Sequence, residues 1–234
     1  MSDETIYRSA GFCGVLALVL LVAEIPLYLA RGPMPSYLAE SLSAYATRNA
    51  ANMLIVAAAD FVICALLLCF LAGFRHLICA TQPQSAWLAT QVFGAGVVYS
   101  GVTLFGDLLQ SAIAWQALTG HADSSLVRTF LSSRYPAFGV MGLVFSALLL
   151  STASYVSHTS RVLPRVTTWL GYCAAVVCLV LVPFLAAGER GVSTFFDPAQ
   201  AMSTGLVAGL PVAVWMLVVG VALFRLRGPE PARI

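Results

Sequence analysis

The sequence predicts an all-α integral membrane bundle of six transmembrane helices, and three observations carry that prediction. Hydrophobic residues make up 60% of the chain and charged residues only 9%, against roughly 45–50% and about 25% in soluble domains. Mean hydropathy is +0.90 over 234 residues, too apolar for so few charges to cover a water-facing surface. Finally, six separate apolar stretches each approach the ~20 residues that cross a bilayer's hydrocarbon as a helix. A secreted disulfide scaffold, a disordered chain and an ordinary cytosolic enzyme are thereby excluded.

The spans run approximately from Ala10 to Ala30, Ala51 to Phe74, Trp87 to Trp115, Phe130 to Tyr155, Val166 to Ala187 and Pro198 to Phe224. The first follows an acidic leader, Asp3 and Glu4. It is too long for a signal-peptide core and reads as a retained helix. The second and third are joined through Arg75–Ala86, and Trp87, Trp115 and Trp169 mark interfaces where an amphipathic ring is comfortable. Pro164 opens the fifth span, while Asp197-Pro198 reads as an N-cap followed by proline at the first helical position. Pro26, Pro183 and Pro211 fall inside spans, where each removes a backbone bond. In the outer connections, Leu38, Leu42 and Tyr45 between Ser36 and Arg48 suggest a short helix lying on the membrane surface. Asp123–Ser132 suggests a second, with Leu126, Val127 and Phe130 on its apolar side. With neither a repeat nor a low-complexity linker, residues 1–234 read as one domain.

Arginine counting orients the bundle. Arg8, Arg75, Arg161, Arg165, Arg225, Arg227 and Arg233 share the side of both termini, and Arg31, Arg48, Arg128, Arg134 and Arg190 the other. The bias puts both termini in the cytoplasm of a multi-pass cell-membrane protein. All twelve basic residues are arginine, which removes lysine-dependent chemistry such as a P-loop or a Schiff base. A net charge of +2 offers no nucleic-acid footprint. The six cysteines form no CxxC pair, and the three histidines lie outside the spans, so no metal or cofactor is called for.

The polar chemistry sits within the spans. Glu24, Asp60 and Asp107 place a carboxyl on three different helices, each about 10–14 Å from its outer end at 1.5 Å per residue. Charge in hydrocarbon is expensive, so such acids face the bundle interior or a water-filled cavity. In the third span Ser100, Thr103, Asp107, Gln110 and Ser111 recur at steps of three and four and form one polar stripe. Gly94, Gly96, Gly101 and Gly106 would let a neighbouring helix approach it closely. Arg134 and Arg48, at the outer mouths, are the candidates to neutralise an acid. Gly106-Asp107 is half of an intramembrane aspartyl-protease pattern, but Leu104 stands where its first glycine belongs. No complete catalytic motif appears.

The chain resembles domain-of-unknown-function family 4386, a bacterial family of polytopic membrane proteins. Arg8-Ser9-Ala10-Gly11, the Ser160–Arg165 segment with Trp169-Leu170-Gly171, and Leu210-Pro211 carry the likeness. Met216 stands where members typically carry an acid, and the family's third-helix arginine–glutamate pair has only the stripe around Asp107 in its place. The resemblance implies six helices in a bacterial cytoplasmic membrane and no specific activity. The residues themselves favour a small transporter or solute-binding protein using the outer-half polar cluster. The alternatives are a non-catalytic subunit that docks a protein partner and, less favoured, an enzyme acting on a lipid or membrane peptide.

Overall fold

The computed structural model describes residues 2–31, 39–120, 139–186 and 202–225, with Asp123, Ser125, Val127, Thr129 and Ser133 between them. Side chains are described throughout these except at 39–41, 184–186 and 202–208. Among the described residues six long helices carry the fold: α1 (Asp3–Arg31), α2 (Ala39–Thr81), α3 (Ala86–Leu118), α4 (Gly142–Ser160), α5 (Arg165–Ala186) and α6 (Met202–Arg225). A single 3₁₀ turn, Pro83–Ser85, links α2 to α3. Among the described residues five helices are long and apolar enough to cross a membrane, and the apolar stretch Gly209–Arg225 of α6 is shorter. The all-α membrane bundle predicted from composition is the architecture observed.

Each helix packs on its neighbour in sequence, and α6 returns to pack on α1, so the six close into a ring. The closure is tight because glycines meet there. A Cβ on Gly11 would stand 2.7 Å from the carbonyl oxygen of Gly220, and one on Gly220 would stand 2.9 Å from that of Gly11. Without side chains the two backbones touch, the usual device for helix association in lipid. Gly11 near the start of α1 lies against Gly220 near the end of α6, so the two helices are antiparallel and the described chain ends lie on one face. Inside the ring, Trp215 of α6 is fully buried and meets Phe70 and Phe74 of α2 edge-on, at centroid distances of 5.7 and 5.8 Å. Edge-to-face pairs of this kind add to plain area burial. Outside, Phe12, Ile55, Phe61, Phe105, Leu108, Val176 and Val180 are exposed, which leaves an apolar belt for lipid.

The structure corrects two expectations. The sequence suggests a short surface helix between Ser36 and Arg48, preceding a span that begins at Ala51. Instead Ala39–Thr81 is a single helix of 43 residues, about 65 Å long at 1.5 Å per residue and twice what a bilayer needs. Nothing between Ala39 and Asn52 breaks a helix, and its apolar residues face protein. Leu42, Tyr45, Ala46, Ala50 and Met53 bury against Ile113, Ala114 and Ala117 of α3 and against Val127. Val127 belongs to a helical stretch beyond α3 where Asp123 Oδ1 accepts the Ser125 amide and hydroxyl, both at 2.7 Å. Leu38, Leu126 and Phe130 lie outside the described residues. The second correction concerns two of the α3 glycines. Nothing stands within 4 Å of a Cβ on Gly94 or Gly101, so these face lipid, whereas a Cβ on Gly96 would overlap Leu71 of α2, the close approach expected of that glycine.

Candidate functional site

The polar interior is organised by a residue that the sequence places just beyond the first span, among the outer-side arginines. Arg31, the last residue of α1, is 1% exposed. Its Nε donates to Asn52 Oδ1 at 2.5 Å, one terminal nitrogen donates to Gln110 Oε1 at 3.2 Å, and the other to the Asn52 carbonyl at 3.2 Å. Asn52 Nδ2 in turn donates to the Leu27 carbonyl at 2.9 Å, and Gln110 Nε2 to the Met53 carbonyl at 3.0 Å. The guanidinium also lies over the Tyr28 ring, 4.9 Å from its centroid. A planar fork of donors suits such a three-helix clasp, which a lysine's single nitrogen would not reproduce. The clasp fixes α1, α2 and α3 in register, with Arg31, Asn52 and Gln110 in one layer.

That register sets the depth of the acids. Glu24 lies seven residues below Arg31 and Asp60 eight below Asn52, about 10–12 Å deeper along their helices. Asp107 lies three residues below Gln110, roughly one turn. All three are buried, at 2%, 9% and 1% exposure respectively. Both Glu24 carboxyl oxygens lack a hydrogen-bond partner among the described residues, while Asp60 and Arg31 lie within electrostatic range of the group. Asp60, Asp107 and Tyr28 are each engaged with neighbours. Asp60, Asp107 and Glu24 also lie within electrostatic range of the Cys64 thiol, which has Ser100 beside it.

At the level of Asp60 the ring holds a partly open cavity of about 60 Å3, lined by α1, α2, α3, α4 and α6. Its polar wall consists of Asp60, Tyr28, Tyr99, Thr103 and Cys64, and the remainder is apolar, including Leu21, Val212 and Met216. Thr103 is held by donating its hydroxyl to the Tyr99 carbonyl at 3.1 Å. Two features open the space locally. Gly209 of α6 faces the Tyr99 hydroxyl, and Gly142 of α4 follows a π-helical turn at residues 139–141. Such turns widen a helix by one residue and recur at functional sites. A few waters or a small ion fit in this volume.

The predicted residues divide accordingly. Ser100, Asp107 and Gln110 of the stripe are buried, Thr103 lines the cavity, and Ser111 is half-buried beyond the clasp. Among the three acids, Asp60 is the one that lines the cavity. Arg134 lies outside the described residues. Arg48 is a correction: it is exposed, its guanidinium 5.8 Å from the Tyr45 ring centroid, and among the described residues Arg31 reaches Glu24 instead. Sequence reasoning missed Arg31, Asn52, Tyr28 and Tyr99. Asn52, a polar residue inside an apolar run, was the available signal.

Among the described residues no three metal-ligating side chains come together. The chain matches no family model, no curated protein and no solved structure.

Proposed function

We propose that this membrane protein is a small transporter that moves protons, alone or coupled to a solute, through the cavity beside Asp60. The observation that carries the reading is an acid in the wall of a water-sized cavity at the centre of an apolar bundle. A carboxylate placed there without purpose would cost several kcal/mol. Glu24 and Asp60 are near enough to feel each other's charge, so a proton arriving at one alters the field at the other. Arg31, held rigidly by Asn52 and Gln110, supplies a fixed positive field one layer out. The cavity's size favours protons or a small ion over an organic solute in this conformation. The same reading places both termini in the cytoplasm of a bacterial cell and groups the chain with domain-of-unknown-function family 4386.

The test is proton movement into sealed proteoliposomes carrying an internal pH-sensitive dye, with orientation fixed by access to a C-terminal tag. After an imposed pH step the wild-type protein should acidify the lumen faster than empty vesicles. Asp60→Asn should lower that rate by about 100-fold or more, the scale of losing an essential proton carrier. Trp169→Phe, on the lipid-facing surface, should leave it unchanged. Wild-type flux in a correctly inserted Asp60→Asn protein would end the proposal.

A further inference from the structure

A second feature lies on the face shared by the described chain ends. There α5 packs on α4 more extensively than on α6, and a groove of about 580 Å3 runs between α5 and α6. Its walls are apolar, formed by Val166 at the start of α5 and by Val218, Val221 and Ala222 near the end of α6. Arg161 and Arg225 stand at its rim. Neither has a carboxylate partner among the described residues. Arg161 also borders a polar recess of about 630 Å3 with Arg165, His158 and Thr168, on the other side of the α4–α5 turn. Trp169, 63% exposed, stands one turn along α5, at the depth where tryptophan marks the headgroup region.

We propose that this groove is a binding site for an anionic glycerophospholipid. One acyl chain lies along Val166, Val218 and Val221, and the phosphate sits between Arg161 and Arg225. The occupant follows from charge and position together. A soluble anion would have no use for the apolar trough, and a zwitterionic lipid would bring a further cation to a site that already holds two. An apolar helix of a partner protein would fill the trough but bring no charge to meet them at the interface. Basic pockets between transmembrane helices on the cytoplasmic side are suited to anionic headgroups, and the groove volume lies within the range of small-molecule sites. Arg161 has φ 53°, a left-handed conformation at the end of α4 that glycine adopts more readily. An arginine here therefore presents its side chain at a position where the backbone alone favours glycine.

The site is tested by thermal unfolding of the full protein in mild detergent, titrated with phosphatidylglycerol, phosphatidylcholine or inorganic phosphate, and by native mass spectrometry of retained lipid. Phosphatidylglycerol should raise the melting temperature and remain bound, and the other two additions should do neither. Arg161→Gly removes one cation while suiting the backbone, so it should fold normally. Combined with Arg225→Gln it should weaken phosphatidylglycerol binding about 30-fold, the product of two interfacial arginine contributions. Ala222→Phe, which fills the trough and keeps both charges, should also abolish retention. Equal protection by phosphatidylcholine or by phosphate alone would overturn the assignment. So would an Ala222→Phe protein that binds phosphatidylglycerol like wild type, since that reports general surface charge.

Discussion

Arg31 shows how one side chain can organise a membrane interior. It is almost wholly buried, it joins three helices, and its field reaches Glu24. Removing a buried charge from its partners is more costly than never having placed it, because the acceptors are then left unsatisfied. Arg31→Met should therefore destabilise the protein by about 3–5 kcal/mol, and Arg31→Lys should recover only part of the loss. Denaturant unfolding in micelles measures both, and a change below ~1 kcal/mol for Arg31→Met would show that the clasp is not structural. The sequence made Glu24, Asp60 and Asp107 conspicuous, because an acid inside an apolar run is rare. Arg31 was inconspicuous for the opposite reason: followed by Gly32-Pro33, it looks like the first residue of a loop. Its burial depends on Asn52 and Gln110, which lie 21 and 79 positions away and whose approach no local pattern reveals.

The ends of the third and fifth spans were legible because hydropathy and punctuation agree. The spans expected at 87–115 and 166–187 correspond to Ala86–Leu118 and Arg165–Ala186. The error in α2 is instructive. Leu42 and Tyr45 recur at helical spacing, and that spacing reveals an apolar face but not what covers it. A membrane surface and the outer end of α3 give the same pattern. Glycines present a similar ambiguity, since a small residue permits close approach without requiring it. The structure separates the two cases, and mutation should too. Gly220→Val places atoms against the Gly11 backbone and should cost about 1–3 kcal/mol through overpacking. Gly94→Ala and Gly101→Ala meet nothing and should gain about 0.5–1 kcal/mol each from reduced chain entropy. Unfolding curves for the three variants decide this, and a neutral Gly220→Val would show that α1 and α6 do not close the ring as described.

For the whole molecule, the ring of six helices and its central cavity were beyond sequence reading. Composition establishes that spans exist, and loop lengths favour sequential neighbours, but closure of α6 onto α1 depends on glycines 209 positions apart. The cavity is likewise a property of five helices together, and only Asp60 and Thr103 among its polar residues stood out in the chain. The central claim is that Asp60 exchanges protons with this cavity, and infrared difference spectroscopy across a pH titration reads that exchange directly. The wild-type protein in lipid should show a carboxylic-acid band that disappears as pH rises and shifts in D2O. Asp60→Asn should lose part of that titrating intensity while keeping its helical amide bands. An Asp60→Asn titration that superimposes on the wild type would contradict the account.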